Sequence, residues 1–331
     1  MRPQFRVIAN STDVTGLIAD RLLGLTITDE AGMQSDRVSI RIDNRDGRVA
    51  MPSQGAQLEV FLGYVETGVS RMGLYVVDEL SESGPPASLT ITGKAADMRD
   101  SLKEKRTQAW ENMTLGDLLT AVAKRNGYTP KVADALAKLP VGHIDQTEES
   151  DMHLITRIAK EHDAMAKPAG GNLLFVPRGE AKTVSGKVMP ALTLTGKDIV
   201  QWSVSLDGRG KYKSVKATYH DAATASRTEV VIGEGSPVRV LSTSYPDEAA
   251  AKTAAKGEFH RQQRGTGKLS VTVAGNPALG AEAKLTITGN SQASNGQWTI
   301  TRVEHSLTPG DGYRCELEAE VPKSDSSSKF V

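Results

Sequence analysis

The chain has 331 residues, 38% hydrophobic and 24% charged, and its 40 basic and 40 acidic side chains give a formal net charge of zero. That length supports two or three domains with ample core, and the charge balance argues against a dedicated nucleic-acid binder whose affinity comes from neutralising phosphates, leaving room only for local basic patches. A single cysteine, Cys315, excludes an intramolecular disulfide framework and a cysteine-based zinc site, and no apolar run approaches the ~20 residues of a membrane span.

Residues 1–6 lack the apolar core of a signal peptide. Residues 1–95 read as a first β domain, with strands near 4–9, 22–29, 37–43, 57–63, 73–80 and 88–93. Asn44, Asp46 and Gly47, then Gly84, Pro85 and Pro86, punctuate it with turns. Residues 96–197 read as a mixed helix/strand middle domain. It opens with a helical stretch around Ala95 to Lys105. Thr114-Leu115-Gly116-Asp117 then starts an amphipathic helix that carries Leu115, Leu118, Leu119 and Val122, with Thr114 as cap and Gly127 as terminator. A third helix is predicted from about Ser150 to Asp163, because Leu154, Ile155, Ile158 and Ala159 form one stripe. A strand from Asn172 to Val176 follows a turn at Pro168 to Gly171.

Residues 198–322 read as a second β domain with a helical insertion at about 222–272. From Pro246 to Gly265 the insertion is rich in alanine, with Asp247 and Glu248 near its start and Arg261 and Arg264 near its end. Alanine has the best helix propensity and that charge order complements the helix dipole, so this segment is a predicted helix. The Ser-rich tail 323–331 is expected to be disordered when unpartnered.

The two β domains repeat one pattern. Leu23, Leu25 and Ile27, then Val38, Ile40 and Ile42, match Val200, Trp202 and Val204, then Val215, Ala217 and Tyr219, every pair 177 positions apart. Gly55, Ala56, Leu58, Val60 and Leu62 match Gly280, Ala281, Ala283, Leu285 and Ile287 at an offset of 225 (280 minus 55). The growth in offset predicts an insertion of 48 residues (225 minus 177) in the second copy. Gly73, Tyr75 and Val77 match Gly296, Trp298 and Ile300, after which the alternation slips by one residue, to Leu80 and to Val303. A one-residue slip in a period of two is what a β-bulge produces, so both copies are expected to carry one at the same place.

Catalytic signatures are sparse. Gly265-Thr266-Gly267-Lys268-Leu269 lacks the spacing and the magnesium-holding hydroxyl of a phosphate loop and reads as a helix exit. Gly208-Arg209-Gly210 lies between two strands and reads as a hairpin turn. His143, Asp145, Glu148, Glu149, Asp151, His153 and His162 are metal-ligand types, but His153 and His162 lie nine apart, on opposite sides of a helix. The cluster reads as a solvated helix start. Trp110 reads as core beside a helix, with a glycan-binding role as the rival. Cys315, in the alternating run Tyr313, Cys315, Leu317, reads as a packed strand residue. No catalytic, cofactor-binding or metal-binding residue is assigned.

Several segments carry a resemblance by their order and spacing: Asp36-Arg37-Val38-Ser39-Ile40, Pro52-Ser53-Gln54-Gly55-Ala56-Gln57-Leu58-Glu59-Val60, Leu62-Gly63-Tyr64, Gly73-Leu74-Tyr75-Val76-Val77-Asp78, Gln146-Thr147-Glu148-Glu149-Ser150-Asp151 and Gly296-Gln297-Trp298-Thr299-Ile300. Over nearly the whole chain the sequence resembles the late control D proteins of contractile-tailed phages, the hub of the tail baseplate, and is similar to the hub part of type VI secretion spikes. The resemblance implies an α+β, mainly β fold in which two related antiparallel, β-barrel-like tube domains flank the mixed middle domain. It implies a homotrimer whose six tube domains form a pseudo-sixfold ring between a sixfold tail tube and a threefold central spike. The implied partners are the tail tube protein, the central spike protein and other baseplate proteins, with DNA or the tape-measure protein passing through the lumen without specific binding. The implied location is the virion baseplate after assembly in the host cytoplasm, with no enzyme activity, no cofactor and no membrane insertion. Two alternatives stand beside it: a cell-wall-directed protein that binds glycan through Trp110 to Tyr128 or hydrolyses it at His143 to His162, and the same hub in an R-type bacteriocin or secretion particle.

Overall fold

The computed structural model describes residues 1–179, 191–206, 212–221, 226–264 and 266–322. The predicted features at Gly208-Arg209-Gly210, at Gly265 and in the tail 323–331 lie outside the described residues. The chain begins with β1 (Pro3–Ala9), β2 (Thr12–Asp13), the one-turn α1 (Thr15–Ile18), β3 (Leu22–Glu30), β4 (Arg37–Asp43), β5 (Gln57–Tyr64), β6 (Gly68–Ser83) and β7 (Ser88–Ala95). Next come β8 (Lys105–Thr114), α2 (Leu115–Arg125), β9 (Thr129–Val132), α3 (Asp134–Ala137), β10 (Pro140–Ser150), α4 (Asp151–Glu161), β11 (Ala164–Ala169) and β12 (Asn172–Pro177). The remainder holds β13 (Leu192–Thr195), β14 (Ile199–Leu206), β15 (Ser214–Asp221), β16 (Ser226–Gly233), β17 (Val238–Tyr245), α5 (Glu248–Arg264), β18 (Gly267–Ala274), β19 (Lys284–Thr288), β20 (Gly296–Thr308) and β21 (Gly312–Glu320).

The fold is mainly β and the sheets are largely antiparallel. Thirteen strands form one sheet with the path β14-β18-β21-β20-β3-β4-β7-β6-β5-β1-β2, while β19 pairs with β20 and β13 with β19. The same strand order therefore occurs twice. The N-terminal copy runs β3-β4-β7-β6-β5-β1, and the C-terminal copy runs β14-β18-β21-β20-β19-β13. Only the outermost pair differs, since β1 lies antiparallel to β5 whereas β13 lies parallel to β19. Among the described residues the sheet stays open and no barrel closes.

The alternation that marks these strands in the sequence is the alternation of burial. In β4, Val38, Ile40 and Ile42 are buried between more exposed neighbours, and in β21, Tyr313, Cys315, Leu317 and Ala319 are. Both copies share one apolar core, which runs from Leu25 and Ile40 to Trp298 and Leu317.

The predicted bulges are where the slip placed them. Pairing of β6 with β7 shifts register between Val77 and Glu79, and pairing of β20 with β21 shifts between Ile300 and Arg302. A further shared shift, between Leu22 and Gly24 in β3 and between Ile199 and Gln201 in β14, supports the 177 offset for that strand pair.

Two parts of the sequence match are corrected. Strand β15, with Val215, Ala217 and Tyr219, does not pair with β14. The strand beside β14 is β18, so Val38, Ile40 and Ile42 correspond to Leu269, Val271 and Val273 at an offset of 231. The sequence misassigned β15 because any half-buried strand shows the same period, and the period carries no label for the partner. The second correction is a register shift of two. Gly55 N–H donates to Val77 O and Val77 N–H to Ala56 O, just as Glu282 N–H donates to Ile300 O and Ile300 N–H to Ala283 O. Ala56 thus corresponds to Ala283, Leu58 to Leu285 and Val60 to Ile287, an offset of 227 (283 minus 56). Gly55 (φ +84°) and Glu282 (φ +76°) share the left-handed turn before the strand.

The insertion consequently lies between β14 and β18 instead of at 222–272, because β18 belongs to the repeat and β15 does not. It is a three-stranded sheet, β16-β15-β17, with α5 packed on it through Val215, Ala217, Ala251 and Ala255. The second copy also starts earlier than residue 198, since β13 pairs with β19.

The middle region folds around α2 and α4, whose buried Leu115, Leu118, Leu119, Val122, Leu154, Ile155 and Ile158 form a core of their own. Thr114 caps α2 through a reciprocal hydrogen-bonded box with Asp117. Ser150 caps α4 by accepting from His153 N–H at 3.2 Å. Two expectations fail here, and one strand pair carries no signal in the sequence. The helical stretch at Ala95 to Lys105 is a single 3₁₀ turn, Asp100–Lys103, because Ala95 ends β7. Pro168 lies within β11, so the turn before β12 is only Gly170 and Gly171. Strands β8 and β10, which pair with each other, carry no clean alternation and were not foreseen.

Candidate assembly interface

Strand β20 does two jobs along its length. Its first half pairs with β19, and after the bulge its second half, Arg302 to Leu307, pairs with β3. That second half is the seam between the copies, and Arg302 Nε reaches Glu30 Oε1 across it at 3.2 Å. At the seam Leu25 and Ile27 of β3 are buried, 0% and 2% exposed.

The corresponding strands elsewhere lack this partner. In β6, residues 68–76 pair with β5, but residues 79–83 pair only with β7 among the described residues. Among the described residues strand β14, the counterpart of β3, pairs only with β18. Trp202, at the position of Leu25, is 40% exposed, and Leu206 on the same face is 59% exposed. An edge strand with a row of open apolar side chains is a template for further pairing unless it is covered.

A half-buried charge cluster fastens the middle region to both copies. Lys167 of β11 places Nζ 2.8 Å from Asp29 Oδ1 and 3.2 Å from Asp36 Oδ1, and donates to Glu30 O at 2.7 Å. Asp29 Oδ2 accepts from Ala281 N–H at 2.8 Å and Glu282 Oε1 accepts from Gly32 N–H at 3.1 Å, which ties in the second copy. Burial pushes the Asp36 carboxyl up to about 6 and that of Glu282 up to about 7, despite the opposing pull of Lys167. Burial works against the Lys167 charge, but Asp29 and Asp36 outweigh it and hold the ammonium above its ordinary range. No sequence pattern announced this cluster, since its three parts, residues 29–36, Lys167 and residues 281–282, are separated by more than a hundred positions.

The residues singled out for chemistry are built into the structure. Trp110 lies in β8, buried, and its Nε1–H donates to Gln146 Oε1 at 3.2 Å. Asp151 is fully buried, bonded to Arg125, to Gln146 Nε2 at 2.8 Å and to Asn126 Nδ2 at 2.7 Å. The reading of this run as a solvated helix start is therefore corrected: His143, Asp145, Glu148 and Glu149 sit on β10, and Asp151 anchors a buried polar network. His143 is exposed on that strand, its ring 3.0 Å from Asp145 and 3.2 Å from Glu111, and these hydrogen bonds raise its pKa. His162 caps α4 instead, and burial lowers its pKa. Among the described residues no group of three or more His, Cys, Asp or Glu side chains is disposed to hold a metal ion. Cys315 is buried beside His305, Sγ to Nδ1 3.2 Å, and burial pushes its thiol up to about 11. Among the described residues no helix is long and apolar enough to cross a membrane.

Residues 27–310 match the family model described as phage tail baseplate hub (GPD). The chain is 34% identical to the probable baseplate hub protein of Escherichia phage 186, over 98% of this chain and 94% of that protein. It is 31% identical to the probable baseplate hub protein of Escherichia phage P2, over 98% and 95%. Its fold is similar to that of a tail protein from Neisseria meningitidis MC58, with a TM-score of 0.72 at 14% identity over 97% of each chain. With a repeated strand order, an open edge strand and kinship along almost its whole length, the chain belongs to the phage tail baseplate hub family.

Proposed function

We propose that this chain is the hub of a phage tail baseplate, that it works as a homotrimer, and that its role is structural, without catalysis. Each subunit contributes two tube domains, the N-terminal copy and the C-terminal copy, with the middle region outside them. Three subunits place six nearly equivalent units in a ring that joins the sixfold tail tube to the threefold central spike. The ring encloses a lumen through which DNA, and the tape-measure protein before it, pass without specific binding. Other baseplate proteins dock around it in the virion.

The observation that carries this reading is the double occurrence of one six-strand order in a single chain, with bulges at matching places. A duplicated chain in three copies presents six similar surfaces, whereas an insertion carried by one copy alone leaves a threefold pattern. The formal charge of zero suits a wall that does not hold its cargo. The burial of Trp110 against Gln146 leaves its ring unavailable to stack on a sugar.

Electron-microscopy averaging down the particle axis tests the reading. Six similar lobes with three protrusions, made by β15 to β17 and α5, are the expected view, together with a trimer mass under native conditions. A chain that stays monomeric with its tube and spike partners present would overturn it.

A further inference from the structure

The seam between the two copies inside one chain contains the register of the contact between chains. We infer that β14 of one subunit pairs antiparallel with the outer half of β6 of the next, with Leu206 opposite Leu80, Ser205 opposite Ser81, Val204 opposite Glu82 and Ser203 opposite Ser83. This inference rests on the proposed trimer and names the strands and the register that close it.

The register follows from three observed pairings. Across the internal seam, Val303 faces Asp29, Glu304 faces Thr28, His305 faces Ile27 and Ser306 faces Thr26. The shared bulge relates β6 to β20, placing Leu80 where Val303 stands and Ser83 where Ser306 stands. The shared shift near Leu22 and Ile199 relates β3 to β14, placing Leu206 where Asp29 stands and Ser203 where Thr26 stands. Substituting one copy for the other in the seam gives the four pairs, and no free choice of alignment remains.

Burial agrees with the transfer. Trp202, Val204 and Leu206 occupy the positions of Leu25, Ile27 and Asp29 on the core-facing side; Val204 is partly buried against the core, but Trp202 is open where Leu25 is closed, and Leu206 is open beside it. Leu80 already packs at the edge of the common core, so a strand laid beside it would meet an apolar partner. Ser81, Ser83, Ser203 and Ser205 are exposed on the opposite face. A second copy is the occupant because the chain already makes this contact with its own duplicate. Within one chain β14 and β6 are seven strands apart along the sheet path, so the contact requires a neighbour.

Cysteine pairing tests the register. Facing residues in an antiparallel pair lie within the Cα separation that a disulfide spans. The double variant Ser81→Cys with Ser205→Cys is expected to give covalently closed trimers on mild oxidation of the assembled hub. Each single variant, and the off-register pair Ser81→Cys with Ser203→Cys, should stay largely uncrosslinked. Trp202→Glu should abolish the trimer while leaving the circular dichroism of the folded chain unchanged, because that side chain is open in the single subunit. A trimer by native mass in which the Ser81–Ser205 pair fails to link, or links no better than the off-register pair, would overturn the register and leave the ring standing. No trimer with tube and spike partners present would remove both.

Discussion

Asp36 and Glu282 show how the join between regions is held by groups that prefer to be protonated. Both are half-buried beside Lys167, and their folded-state pKa values, about 6 and about 7, lie above those of the unfolded chain. Between about pH 4 and 7 the folded state therefore binds protons that the unfolded state has released, so stability falls as pH rises through that window. One pKa unit corresponds to about 1.4 kcal/mol, so between pH 5 and 7.5 the fold weakens by about 1 kcal/mol through Asp36 and by about 2 kcal/mol through Glu282. Glu282→Gln keeps the carbonyl acceptor for Gly32 N–H and removes the charge. Urea midpoints at pH 5 and 7.5 should lie closer together in this variant than in the parent. An unchanged gap would mean that Glu282 does not carry the slope.

At the scale of elements, α5 reaches α4 through Gly257, where an added Cβ would lie 2.7 Å from Glu161 O and 3.1 Å from Lys160 O. Arg264 at the end of α5 extends the same contact by donating to Asp163 through Nη1 at 3.1 Å. Two effects compete in Gly257→Ala. Helix propensity favours alanine by about 1 kcal/mol, whereas forcing a methyl against two backbone carbonyls typically costs about 1–3 kcal/mol. Backbone atoms cannot move aside as a flexible side chain can, so the clash should win. Thermal unfolding should show a lower midpoint for Gly257→Ala. A higher one would show that α5 shifts freely over α4.

For the molecule as a whole, the continuous sheet means that stability and assembly are linked. The internal seam buries Leu25 and Ile27, whereas on the equivalent face of β14, the face covered in the proposed trimer, Trp202 and Leu206 are open in the single chain. Anything that binds the folded state alone raises apparent stability by mass action. The melting midpoint of the isolated protein should therefore rise with protein concentration, and Trp202→Glu should flatten that dependence. A midpoint independent of concentration over two decades in the parent would argue that the open edge is not an association surface.

Local physics made a large part of this protein readable from residue order. Alternating apolar residues marked β3 to β7 and β19 to β21, the alanine run marked α5, and Thr114 with Asp117 marked the start of α2. The one-residue slips before Leu80 and Val303 marked both bulges, because a bulge changes the period within a few residues of itself. The partner of each strand was not readable in this way. Strand β15 mimicked β4 although β18 takes its place, and Lys167, Asp29, Asp36 and Glu282 met without any motif. A period reports that a strand has a buried face, and it depends only on neighbours along the chain. Which strand covers that face, and which distant charges share a half-buried pocket, depends on contacts across a hundred or more residues, and only the assembled tertiary structure decides them.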